Sequence, residues 1–351
     1  MTEGRLKYEE NTKYAQTKGQ IILDYQDLIN NYPPLYTYRR KIELYEKSLL
    51  QCGQQKGTLR VSRCRFKLHN KNKTIAKTDL FIRTDSGFYE YDKDMSDSHR
   101  QVWYLNFADP ELFGFYSGTL FAQDEMMTLE IPLLCSVREY LVSKGIHGLP
   151  TRTAVSHLYG YEPTPVLIEN VPQWIRVDTK PTMPDGTQVS IYGNNFAFAN
   201  QEQIDAGITI MTDDVKCNVI CASAPFGGNG DYTAKEIDYT LRAAFSAFEQ
   251  AVALSKKNLK LGDYVDSTVL TVIHTGNWGC GAYGGNYELM YLIQMIAASE
   301  VGVNELVFHS PKNDFFDKAQ DKFQTLQGMS LSECAAFLKR QKYRWGMSDG
   351  N

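Results

Sequence analysis

The residues best suited to chemistry lie in two glycine-rich loops and beside them. In Thr275-Gly276-Asn277-Trp278-Gly279-Cys280-Gly281-Ala282-Tyr283-Gly284-Gly285, five glycines let backbone amides approach a ligand closely. A helix follows, offering unpaired N–H groups and the positive end of its dipole, so the segment reads as a phosphate cradle. The loop Pro225-Phe226-Gly227-Gly228-Asn229-Gly230-Asp231 has the same character and ends on a carboxylate. Thr233 and Glu236 form a capping box that starts the next helix, which leaves Asp231 in the loop. Asp238 is a weaker candidate, because an i,i+4 ion pair with Arg242 explains it equally well. Asp124 and Glu125, taken alone, are first-turn carboxylates that complement a helix dipole.

These loops need strands ahead of them and helices behind them. From Val102 onward, short apolar strands run into loops rich in Gly, Asn and Asp and then into helices. Strands are expected at Trp103–Phe107, Val215–Ala222, Thr268–His274 and Glu305–His309. The matching helices are expected near Ala122–Thr128, Ala234–Ser255 and Tyr287–Glu300. Such units build a sheet with helices on both faces and gather their loops at the carboxyl ends of the strands. Pro163 to Asn200 reads as extended segments joined by turns. Ahead of this core, helices are expected over Ile21–Tyr32, ended by Tyr32-Pro33-Pro34, and over Tyr38–Gln51. Extended segments are expected over Leu59–Leu68 and Thr78–Tyr91. The expectation is an accessory region over residues 1–100 packed on a catalytic core over residues 101–351.

The 351 residues carry a formal charge of −4, with 43% hydrophobic and 22% charged residues. That balance argues against a non-specific nucleic-acid or anionic-membrane binder, and the basic stretch Arg60, Arg63, Arg65 and Lys67 alternates like the solvated face of a strand. No long apolar run or secretory signal is visible, so a soluble protein is expected. Seven scattered cysteines, with no C-x-x-C and no histidine cluster, suit a reducing compartment and give no zinc pattern. Cys280 has no base to activate it, and His274, at the end of a buried strand, reads as a hydrogen-bonded core residue. Gly279, Gly281 and Gly284 satisfy G-x-G-x-x-G, so a dinucleotide-binding oxidoreductase has to be weighed, although the unit lies near the end of the chain.

Thr275 to Gly285 resembles the glycine-rich signature of poly(ADP-ribose) glycohydrolases, T-G-N-W-G-C-G-A-F-G-G, with Tyr283 in place of the aromatic residue. A second stretch, Asn106 to Glu125, resembles the family's strand ending in F-A-N, its triple glycine and its Q-E-E motif. The resemblance covers about two-thirds of the chain in order. It implies a macrodomain-like three-layer α/β/α sandwich with a mixed central sheet. By correspondence, Asp109 contacts a ribose, Gln123 is retained, and Asp124 and Glu125 fall on the paired acidic residues. Glu125 is then the implied general acid, with Asp124 holding ribose hydroxyls. The triple glycine has become Phe113-Gly114-Phe115, and two rings cannot follow the same close path around a ligand.

The resemblance therefore implies an ADP-ribosylhydrolase acting on a mono-ADP-ribosylated protein, with arginine the expected acceptor, as in certain macrodomains among bacterial effectors. A guanidinium leaving group would pair with Asp or Glu in bidentate fashion. The expected catalytic residues are Glu125, Asp124, Asp231 and Asp238, with the choice of acid left open between Glu125 and the Asp231 loop. The expected ADP-ribose contacts are Asp109, Phe113, Phe115, Gln123, Phe226, Gly227, Gly228, Gly276, Asn277, Trp278, Gly279, Cys280, Gly281, Ala282 and Tyr283. No metal or cofactor is implied. The expected partners are ADP-ribose and a modified protein, with no nucleic acid or membrane, in the chain's own cytosol or that of a host. The alternatives are a poly(ADP-ribose) glycohydrolase and a non-catalytic ADP-ribose reader.

Overall fold

The computed structural model describes residues 20–63, 80–91, 99–144, 151–157, 160–259 and 269–350. Arg65, Lys67, Cys64 and the ends of two expected extended segments lie outside them. Among the described residues, eight strands form one mixed sheet in the order β1-β2-β7-β10-β4-β11-β12-β3. In chain order these are β1 (Gln20–Asp24), β2 (Thr58–Arg63), β3 (Phe81–Asp85), β4 (Arg100–Phe107), β7 (Val166–Pro172), β10 (Lys216–Ala222), β11 (Leu270–Thr275) and β12 (Glu305–His309). β10, β4, β11, β12 and β3 run parallel, whereas β7, β2 and β1 join by antiparallel pairing. Two short hairpins lie beside the sheet, β5 (Ala154–His157) with β6 (Gly160–Pro163), and β8 (Ile175–Val177) with β9 (Ile208–Ile210).

Strand alternation creates two cores. On β4, Val102 and Tyr104 face one hydrophobic cluster, and Trp103 and Leu105 face the other. The first cluster takes α1 (Tyr25–Asn31), α2 (Arg39–Cys52), α3 (Gln123–Glu130) and α4 (Leu133–Ser143). Two further helices, α5 (Asn195–Phe198) and α6 (Gln201–Gly207), add Phe196 and Ile204 to it. The second cluster takes α7 (Ala234–Leu259), α8 (Tyr287–Val301), α9 (Asn313–Leu326) and α10 (Leu331–Arg340). The layers are thus helix, sheet, helix. No helix among the described residues is long and apolar enough to cross a bilayer.

The capping box read at Thr233 is present: the Thr233 amide donates to Glu236 Oε2 (2.6 Å), and the Glu236 amide donates to Thr233 Oγ1 (3.3 Å). Helix α8 starts at Asn286, whose side chain accepts from the Leu289 amide (3.1 Å), and stops at Gly302 in the left-handed conformation. The helix expected over Ile21–Tyr32 is shorter than its pattern suggests, because its first residues form β1 and only Tyr25–Asn31 is helical. Ladder bonds to β2 outweigh the marginal stability of an isolated turn there. The described parts of the first hundred residues supply three strands of the central sheet, β1 and β2 at one side and β3 at the opposite edge.

Candidate functional site

Three loops meet at the carboxyl ends of parallel strands: 108–122 after β4, 223–233 after β10 and 276–286 after β11. Between them lies a cavity of about 420 Å³. Its walls include Asp109, Phe115, Gln123, Asp124, Glu125, Phe226, Gly227, Asn277, Trp278, Gly279, Gly281, Ala282 and Tyr283. These stretches, far apart along the chain, form one surface because they follow neighbouring strands.

Helix α3 presents the carboxylates. Asn106, the penultimate residue of β4, donates from Nδ2 to Asp124 Oδ1 (3.0 Å), and the Asp109 amide donates to the same carboxylate. Gln123 ties the helix to the strand, with Oε1 accepting from the Phe107 amide (2.8 Å) and Nε2 donating to the Leu105 carbonyl (3.2 Å). Glu125 is 4% exposed, and the backbone amides of Ala122 and of Glu125 itself bond its carboxylate. Its Oε2 is buried without a hydrogen-bond partner, and Glu125 is one of the residues lining the cavity. Burial pushes both carboxyl groups above their ordinary range, and the neighbouring charge of Glu125 raises Asp124 further.

The opposite wall is the glycine loop. Gly279 has φ 74°, and a Cβ there would stand 2.5 Å from Ala224 Cβ, so the loop following β10 and the loop following β11 touch at a point only glycine fits. Trp278 is buried and donates from Nε1 to the Ala222 carbonyl (2.9 Å), which pins the cradle to β10. The Tyr283 hydroxyl donates to Asp109 Oδ2 (2.8 Å), bridging the first and third loops. The Phe226 ring lies 5.0 Å from that of Tyr283, and exposed Phe115 stands at the mouth.

Several expected contacts lie elsewhere. Phe113 is fully buried in the helix-side core, in a left-handed conformation (φ 51°), so its ring packs beneath the loop rather than against a ligand. Cys280 is buried away from the cavity surface, and burial raises its thiol far above the usual range. Gly228 lies under Trp345, and Gly276 lines an adjoining cavity of about 210 Å³. Asp231 and Asp238 also stand apart. Asp231 is 60% exposed and 3.5 Å from Arg344, and Asp238 is exposed and pairs with Arg242 at 3.1 Å. Neither lines this cavity: the chain turns at Gly230 (φ 74°) just before Asp231, and Asp238 lies on an exposed face of α7. His274 is the hydrogen-bonded core residue that was expected, with Nδ1 2.8 Å from His309 Nε2.

Other wall residues carry no local sequence signal. Phe107, Ala108, Leu120, Ala122, Tyr192, Ala224 and Asp349 all line the cavity. Tyr192 comes from a polar stretch without periodicity, and Asp349 from a tail laid along the glycine loop. The Gly346 amide donates to the Gly284 carbonyl (2.8 Å), and Asn194 donates to the Gly350 carbonyl (2.8 Å). Trp345 stacks on Tyr232 with ring centroids 4.1 Å apart, holding the tail in place.

Residues 185–318 match the family model described as poly(ADP-ribose) glycohydrolase, macro domain fold. The chain has the macrodomain fold. The matched segment contains the second and third loops, whereas Asp109, Asp124 and Glu125 precede it. Among solved structures, the chain is similar to poly(ADP-ribose) glycohydrolase from Deinococcus radiodurans in complex with ADP-ribose, at 13% identity over 89% of this chain and 96% of that one, with a TM-score of 0.40. It is also similar to a mutant poly(ADP-ribose) glycohydrolase from Thermomonospora curvata, at 13% identity over 69% and 79% of the two chains, with a TM-score of 0.38. No curated protein matches the chain.

Proposed function

We propose that this macrodomain binds ADP-ribose and hydrolyses the glycosidic bond joining it to a modified side chain, with arginine as the acceptor. One observation carries the reading: the carboxyl residues Asp124 and Glu125, both buried, line the same cavity as the glycine cradle. The cradle and the N-terminus of α8 suit a diphosphate. The carboxyl pair suits a glycosidic bond that breaks through an oxocarbenium-like state. Protonated Glu125 gives its proton to the leaving nitrogen as the ribose C1–N bond breaks. The resulting carboxylate then takes a proton from the water that adds at C1, so ADP-ribose and the free side chain are released. Asp124, held by Asn106 and the Asp109 amide, orients ribose hydroxyls.

Four carboxyl residues, Asp109, Asp124, Glu125 and Asp349, line the cavity, with no lysine or arginine among its described lining residues. That field favours a cationic guanidinium adduct over a neutral acceptor. Poly(ADP-ribose) cleavage is the second reading, favoured by the family match over residues 185–318. Free ADP-ribose release from matched substrates modified on arginine, on serine or as polymer tests the choice. Release from arginine alone is the expected result. Release from polymer would move the reading to a poly(ADP-ribose) glycohydrolase, and binding without release from any substrate would leave a reader. In the same assay, Asp231→Asn and Asp238→Asn are expected to stay within about twofold of the native rate, as exposed groups paired outside the cavity should.

Asp349 adds negative charge beside the cradle: its Oδ2 stands 3.0 Å from where a Cβ on Gly281 would be. Asp349→Asn is therefore expected to tighten ADP-ribose binding by about threefold to tenfold, with the gain shrinking as salt rises. Calorimetric titration at two ionic strengths checks both statements, and an unchanged affinity would show that the tail does not compete with the diphosphate.

A further inference from the structure

Lys41, in the first turn of α2, has 0% exposed surface. An ammonium group so placed needs partners, and both of its hydrogen bonds go to the loop that precedes the carboxyl pair. Nζ donates to the carbonyls of Tyr116 (2.9 Å) and Leu120 (2.7 Å) and lies 5.7 Å from the centre of the Phe121 ring. The chain just before it holds the same loop. The Thr37 and Tyr38 amides both donate to the Ser117 carbonyl (2.9 and 3.1 Å), and the Leu35 amide donates to the Tyr116 hydroxyl (2.7 Å). That loop carries Phe115 at the cavity mouth and runs directly into Gln123, Asp124 and Glu125.

We propose that Lys41 is a positioning residue for the carboxyl pair, fixing the first loop through the two carbonyls and setting the proton occupancy of Glu125 through its buried charge. The catalytic consequence rests on the hydrolase reading above, whereas the effect on the carboxyl group does not. Charged and titratable groups surround this position from every packed element. Asp124 and Glu125 come from α3, Cys135 and Glu139 from α4, Asp109 and Tyr116 from the first loop, and Tyr192 and Asp349 from across the cavity. Lys41 is a cation that acts on Glu125, and its charge favours the ionised carboxylate against the effect of burial. Burial also draws the Lys41 ammonium down to about 8, so this influence operates below that pH.

Three variants separate the two roles. Lys41→Met removes donor and charge, Lys41→Gln keeps a donor without charge, and Lys41→Arg keeps both. The first readout is a 13C NMR titration of the Glu125 carboxyl in the full chain, which needs no turnover. It should move upward by about one pH unit in Lys41→Met and Lys41→Gln and stay near native in Lys41→Arg. The second readout is the pH profile of ADP-ribose release. In Lys41→Met the alkaline limb should shift upward by a similar amount, and kcat should fall about tenfold to a hundredfold. Lys41→Gln should recover part of kcat without restoring the limb. A native-like Glu125 titration in the uncharged variants would overturn the proposal, and if Lys41→Met does not fold, Lys41→Gln alone decides it by the same titration. Absence of release by the native protein would remove the hydrolase reading and leave the carboxyl titration as the test of Lys41.

Discussion

Glu125→Gln is expected to reduce release of ADP-ribose by about 10²- to 10⁴-fold, the usual contribution of a positioned general acid. Glutamine matches glutamate in shape, and the side chain it replaces is buried at 4% exposure, so the cavity should keep its form. ADP-ribose binding should survive within a fewfold, which separates this variant from one that has lost the site. Its pH behaviour gives a second check. A carboxyl group raised by burial donates a proton only while protonated, so the native rate should fall as pH rises through its titration, and the residual rate of the variant should lack that limb. Single-turnover release across a pH series measures both effects. Full activity in Glu125→Gln would move the acid to Asp124 or remove the mechanism.

Gly279→Ala is expected to cost about 2 to 4 kcal/mol of stability and to weaken ADP-ribose binding at least tenfold, because two effects add. A side chain at φ 74° carries a backbone penalty of about 1 kcal/mol. Contacts of 2.5 Å to Ala224 Cβ and 2.9 Å to Met290 Cε then force the loops apart, at about 1 to 3 kcal/mol. Gly186→Ala is the control. It has a similar φ of 85° with nothing near the added carbon, so it should show the backbone penalty alone. Denaturant melts of both variants, with calorimetric titration of ADP-ribose, distinguish strain from clash. Equal stability losses would mean that the contact between the second and third loops is soft.

Helix α7 illustrates what local sequence carries well. Its start is fixed by a capping box between Thr233 and Glu236, and its buried face repeats at helical spacing, so neighbours in sequence suffice to define it. β4, β10, β11 and β12 were equally legible, since buried strands flanked by glycine loops need no distant partner to be seen in the pattern. β1 was not. Gln20–Asp24 continues into a short helix without a break in polarity, and only pairing with β2, at Thr58–Arg63, makes it extended.

The site divides in the same way. The glycine cradle was visible because backbone approach to a diphosphate demands glycine, an effect that acts on residue type, whereas Gln123-Asp124-Glu125 stood out only through the resemblance to poly(ADP-ribose) glycohydrolases, since alone they read as first-turn carboxylates. Which carboxyl groups share the cavity was not visible. Asp231 follows a glycine loop as promising as any, yet positive φ at Gly230 sends it outward to Arg344. Phe113 stands where a glycine-like conformation is needed and adopts it, with its ring buried in the core as packing requires.

Residue types and their spacing were thus enough for the α/β layering, for the loops that follow the parallel strands and for the glycines able to cradle a diphosphate, while the proton donor was implied by the family resemblance. Packing between distant segments was needed to bring Lys41 to the first loop, to lay Asp349 along the cradle and to turn Asp231 toward solvent. Those outcomes depend on contacts between residues far apart in the chain. The free energy of such contacts comes from burial and charge in three dimensions, and it leaves no periodic trace along the sequence.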